Sequence, residues 1–103
     1  MSKTNRNELN TLGVVYYRLG QLTNSVATLE ASAKAESSGG SAHDFFFLAM
    51  SYQRLGDVAK ADDYFAKAVK WIADQPSLPP EWKEELEAFR AEAEKVLGKP
   101  KAK

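Results

Sequence analysis

The sequence lacks cysteine, has one histidine and carries no long apolar run, and each scarcity removes a class of function. Without cysteine there are no disulfides and no thiolate metal sites. A single His43 with no cysteine partner meets no metal-ligand spacing, so no metal is expected. No stretch approaches the roughly 18 apolar residues of a membrane span. The opening Met1-Ser2-Lys3-Thr4-Asn5-Arg6-Asn7 is polar and does not read as a signal peptide. Together with the missing cysteines, this fits a reducing compartment, the cytoplasm. An excess of charge of one sign is also lacking, since Lys plus Arg and Asp plus Glu each number 14. Phosphate backbones need a basic face and anionic membrane surfaces a basic helix. Neither nucleic acid nor a membrane is therefore an expected partner.

What the chain does contain is a repeat. With 103 residues it has room for one domain. Shifted by 36 residues, it matches itself: Leu12 falls on Leu48, Tyr16 on Tyr52, and Arg18-Leu19-Gly20 on Arg54-Leu55-Gly56. Gly13 falls on Ala49, Leu22 on Val58 and Leu29 on Phe65. Each unit reads as a helical hairpin. Leu9, Leu12, Val15, Tyr16 and Leu19 recur at steps of three and four, the stripe of an amphipathic helix. Gly20 stops that helix, and Leu22, Val26, Leu29 and Ala33 form the returning stripe. The second unit repeats the plan with Phe45, Leu48, Tyr52 and Leu55, a stop at Gly56, then Val58, Ala61, Phe65 and Val69. Asp57 suits the N-cap of the returning helix, and Ser41 that of the helix before it. Gly13 and Ala49 lack bulk where a partner helix must come close, as do Ala61 and Ala68.

Beyond the second unit, Asp74-Gln75-Pro76-Ser77-Leu78-Pro79-Pro80 is a turn no helix crosses. A last helix begins at the prolines, with Glu81, Glu84 and Glu85 favoured by its dipole. Trp82, Leu86, Phe89, Ala93 and Val96 or Leu97 give it one apolar stripe, and Gly98 and Pro100 end it. Lys83, Glu84, Glu87, Arg90, Glu94 and Lys95 read as its solvated faces.

Leu12-Gly13 with Tyr16 and Gly20, and Leu48-Ala49 with Tyr52, Gly56, Ala61, Phe65 and Ala68, resemble two tetratricopeptide repeat (TPR) signatures. Tyr64-Phe65-Ala66-Lys67-Ala68 in the second is typical of that family. The first departs from it, with Ser25 and Ser32 where alanine is usual. The family period is 34 residues, and Ser37-Ser38-Gly39-Gly40-Ser41 holds the two extra ones. The resemblance implies an all-α TPR-like right-handed superhelix of five helices, two antiparallel hairpins and a C-terminal capping helix. The boundaries expected are 6–38 for the first unit, 42–75 for the second, 79–98 for the cap and 99–103 for a disordered tail.

The resemblance also implies a function. In such arrays the first helices of successive units line a concave groove that holds peptides. By position this assigns Asn7, Asn10, Val14, Tyr17 and Arg18 from the first unit. From the second it assigns His43, Phe46, Phe47, Met50, Gln53 and Arg54. Tyr17, Phe46 and Met50 are expected to be exposed in that groove, with methionine adapting to varied partners. Arg18 and Arg54 suit a partner carboxylate, or simply the helix C-termini they sit at. His43 is expected at the surface of a helix start. Consecutive residues on a helix point in different directions, so Phe45 is placed in the core and Phe46 or Phe47 at least partly outside it. The family's chaperone-binding carboxylate clamp is not expected, because its places hold Asn10, Val14 and Phe47.

No nucleophile–base pair, metal set or cofactor loop is present, so no enzyme is expected and no cofactor. Asp62-Asp63 and Glu84-Glu85 read as solvated carboxylates. The Ser-Gly run lacks the Gly-Lys-Ser/Thr ending of a phosphate loop. The leading expectation is a scaffold that binds a peptide or partner protein in the groove. The alternative is self-assembly as a homodimer through the uncapped first repeat, in a piece of a larger regulatory protein or a designed repeat protein.

Overall fold

The computed structural model describes residues 6–36 and 39–99, with side chains from Glu8 onward. Residues 37, 38 and 100–103, and the side chain of Asn7, lie outside the described residues. Among the described residues there are five helices: α1 (Arg6–Arg18), α2 (Leu22–Ala35), α3 (Ala42–Arg54), α4 (Val58–Asp74) and α5 (Pro80–Leu97). No strand occurs among the described residues. The repeat shows in the helix starts, since α3 and α4 begin 36 residues after α1 and α2.

The stops work as their glycines require. Gly20 and Gly56 have φ of 78° and 90°, left-handed values that a side chain resists. Beyond them Gln21 N–H donates to Tyr16 O and Asp57 N–H to Tyr52 O, both at 2.9 Å, closing the two helices alike. Asp57 caps α4 by accepting from Lys60 N–H at 3.1 Å. Ser41 stands at the N-cap of α3 without a side-chain cap bond. Its hydroxyl instead lies 3.4 Å from His43 Nδ1. Pro79 and Pro80 open α5, and Gly98, at φ 72°, ends it.

Helix α1 packs on α2 and α3 on α4, and the hairpins stack chiefly through α2 against α3. Gly13 shows why the first pair is close: a Cβ there would stand 2.5 Å from Leu29 Cγ and Cδ2. The serines that replace alanine in the first unit are fully buried and occupied. Ser25 Oγ donates to Gly13 O at 2.8 Å and accepts from Ser51 Oγ at 3.2 Å. Ser32 Oγ donates to Asp44 Oδ1 at 2.8 Å. Within the second hairpin Tyr52 and Tyr64 stack at 5.7 Å, and both hydroxyls reach across to the first, donating to Glu30 Oε2 at 2.8 and 3.1 Å.

Two expectations about the core are corrected. The three phenylalanines are all buried, Phe46 and Phe47 completely. The reason is that α3 touches all four other helices, so it has no solvent side, and an all-round apolar helix is the kind that is buried. Phe45 meets Tyr64 and Phe46 meets Phe65 on α4. Phe47 meets Tyr17 on α1 and Phe89 on α5. Conversely, Leu12, Val15 and Leu19 of the α1 stripe are exposed, at 41, 45 and 66%. The counterparts of Leu12 and Val15, Leu48 and Ser51, are buried in α3, which has α2 to pack on, whereas no described helix lies on that side of α1; Leu19 and its counterpart Leu55, just past the helix ends, are both exposed.

Helix α5 packs principally on α3 and only lightly on α4. Leu86 and Ala93 are buried beneath it, while Trp82 stays 42% exposed. It reaches α1 as well, through Glu92, which takes both Nη atoms of Arg18. It thus lies over the side that α1 and α3 share. Glu94, expected on a solvated face, is buried and 3.3 Å from Arg90 Nε. Lys99, assigned to the tail, pairs with Asp62 at 3.1 Å and covers the Phe65 ring.

Candidate functional site

Helix α5 divides the expected groove residues into those it covers and those it leaves open. Tyr17, Phe46, Phe47 and Met50, expected to face a free groove, are buried core residues, with Tyr17 the most accessible at 4%. Phe46 turns toward α4, and Phe47 is closed over by Phe89 at 4.8 Å. The apolar area that suggested a peptide surface is therefore used by the fold itself. Arg18 lies 5.3 Å over the Phe47 ring while held by Glu92. Arg54 lies 5.1 Å over Tyr17, joining α3 to α1. Val14 and Gln53 are half-buried beside them.

Asn10 and His43 are different. Both line an open cleft of about 390 Å³ where the middle of α1, the C-terminal ends of α2 and α4, and the first turns of α3 and α5 converge. The sequence put these two residues in one groove, and the structure brings them to one cavity. His43 is not a plain surface residue. Its ring stands edge-on to Trp82 at 5.0 Å and to Trp71 and Phe89 at 6.4 Å. Its Nε2 lies 3.2 Å from Glu85 Oε1. The turn at Pro79 sets this up, because it returns the chain so that the first turn of α5 crosses the start of α3.

The floor of the cleft contains Asp44, which is 1% exposed. Asn10 Nδ2 and Ser32 Oγ both donate to its Oδ1, at 2.9 and 2.8 Å. Its Oδ2 is buried and has no hydrogen-bond partner among the described residues. Burial pushes the Asp44 carboxyl above the usual carboxylate range, and the hydrogen bonds from Asn10, Ser32 and the Ser41 backbone N–H offset part of that rise. Glu36, Trp71, Trp82 and Glu85 complete the walls.

Sequence reasoning assigned none of these five to a site. Four of them come from segments outside the two inner helices. Asp44 carried a visible signal, a lone carboxylate opening a run of apolar residues. No group of three or more His, Cys, Asp or Glu among the described residues is placed to hold a metal ion. No helix among them is long and apolar enough to cross a membrane.

A family model described as tetratricopeptide repeat matches residues 9–38 and 45–75. No curated protein and no solved structure matches the chain.

Proposed function

Because this chain belongs to the tetratricopeptide repeat family, whose repeats are generally protein–protein interaction modules, we propose that it binds a segment of a partner protein at the end of its inner face that α5 leaves open. The observation that carries this is the cleft lined by Asn10 and His43. It opens beside two tryptophans, a residue type enriched at interfaces. The family is one of non-catalytic scaffolds, and no reaction is assigned to the chain. Tyr17, Phe46, Phe47 and Met50 enter this reading as the support beneath the cleft rather than as its contacts.

A peptide array probed with the purified chain tests the reading. Bound peptides are expected to be lost on Trp82→Ala or His43→Ala and kept on Lys67→Ala, which lies outside the cleft. An array without reproducible binders, or binders indifferent to both cleft substitutions, would overturn it. A second reading, self-association through the first repeat, is favoured by one observation. Leu12 and Val15 line an open recess with Glu8 and Thr11 on the outward side of α1.

A further inference from the structure

The reading above leaves open what the cleft recognises, and the following rests on it. We propose that the cleft takes the side-chain ammonium of a lysine from the partner segment, with Asp44 as its anionic anchor and Trp71 and Trp82 as its walls.

Three features point to an organic cation. Charge comes first: Glu36, Asp44 and Glu85 line the cleft against a single imidazole, His43. The amino-terminal dipole of α3 favours an anion, and Asp44 already supplies one there. Second is the unused oxygen. Asn10 and Ser32 both donate to Oδ1 and the Ser41 backbone N–H also supports the carboxyl, while the buried Oδ2 makes no hydrogen bond of ordinary geometry among the described residues. A buried carboxylate oxygen left so is costly, and a cation beside it removes the cost. The third is the aromatic lining, since an indole face attracts a cation more strongly than other rings do. The same residues disfavour a metal ion, because no three ligating side chains converge among those described.

The geometry also separates lysine from arginine. A guanidinium is best held by two carboxylate oxygens in one plane. Here one oxygen is taken and only one remains, a single-point arrangement that suits a compact ammonium. The cleft, at about 390 Å³, has room for the four-carbon stem to lie against the indoles.

The full chain is titrated with three probes: Nα-acetyl-lysine methylamide, its arginine counterpart, and the norleucine counterpart that lacks the charge. Binding is read from NMR shifts of the Trp71 and Trp82 indole N–H groups. The lysine probe is expected to give saturable shifts, the arginine probe weaker ones and the norleucine probe none. Asp44→Asn keeps the size and the Oδ1 acceptor while removing the charge. Its thermal melt shows that it folds, and its affinity for the lysine probe is expected to fall roughly tenfold. Equal shifts from the lysine and norleucine probes, no shift from lysine, or undiminished binding by Asp44→Asn would each overturn the proposal. Failure is separable from that of the interaction reading. Array binders without a required lysine leave the interaction standing and remove this assignment. A lysine-probe response with an empty array does the reverse.

Discussion

At the scale of single residues, the carboxyl of Asp44 gives the sharpest test. Its folded pKa is raised by burial. The stability it contributes is therefore fully present below the ordinary carboxylate value of about 3.9 and is lost as pH rises through the folded value. Asparagine mimics the protonated form and keeps an acceptor for Asn10 and Ser32. Asp44→Asn is expected to stabilise the chain by about 1 kcal/mol at neutral pH, with the advantage vanishing in acid. Melting curves at a series of pH values check this, and a gap that widens in acid contradicts it. The tyrosine pair is a second titration. Tyr64 is pushed up to about 12, by burial first and then by Glu30, and Tyr52 is raised further for the same reasons. Their stabilisation is present below the ordinary value of about 10 and lost as pH rises through the raised values. Glu30→Gln is expected to bring both tyrosines down in an absorbance titration while their stacking holds. Steric space decides Gly13. Alanine adds helix propensity worth about 1 kcal/mol, but its Cβ would meet fully buried Leu29 at 2.5 Å, and overpacking costs about 1–3 kcal/mol. Gly13→Ala is expected to destabilise on balance in urea unfolding, and Leu29→Val to relieve part of the loss in the double variant.

At the scale of helices, α5 is where packing overrode position. Its stripe was legible, because Leu86, Phe89 and Ala93 recur at helical spacing and do bury one face. The helix it would choose was not, because a stripe says that a face is buried and not what buries it. The same limit explains the groove residues. Their place on α1 and α3 followed from the 36-residue repeat, but their exposure depended on whether a later helix crossed over them. Asn10 and His43 line a cleft because they lie to one side of the Phe89–Phe47 contact, where His43 meets the first turns of α5 at Trp82 and Glu85. The run Phe45-Phe46-Phe47-Leu48-Ala49-Met50 held the missing information. Apolarity on every side of α3 implies a helix with no wet face, hence one more neighbour than a two-hairpin array provides. Leu86→Ala is therefore expected to cost about 2–5 kcal/mol, the range for a truncated core leucine. It should also let water reach Phe47, read by dye binding below the unfolding midpoint. A loss under about 1 kcal/mol in urea unfolding would mean that α5 is only loosely seated.

At the scale of the molecule, the array is closed on one side and open on the other. Helix α5 covers the inner face that α1 and α3 share, whereas the outward side of the first hairpin presents Leu12, Val15 and Leu19 to solvent. Repeat units cannot bury both faces alone, and about three are needed for stability. A neighbour on α1 would supply what is missing, and a second copy of the chain is the simplest neighbour. The formal charge of zero offers no net repulsion against such pairing. Light scattering is expected to show a mass rising toward twice the monomer as concentration increases. Val15→Arg should hold the mass at the monomer, because it puts an unpaired charge into an apolar contact. Raising the salt should leave the wild-type dimer intact, since screening acts on exposed charges and not on buried apolar area. Asp44→Asn, away from this face, should leave the mass unchanged. A monomer at every concentration would remove the second copy as the neighbour of α1, and the cleft beside Trp82 would stand as the chain's interaction surface without it.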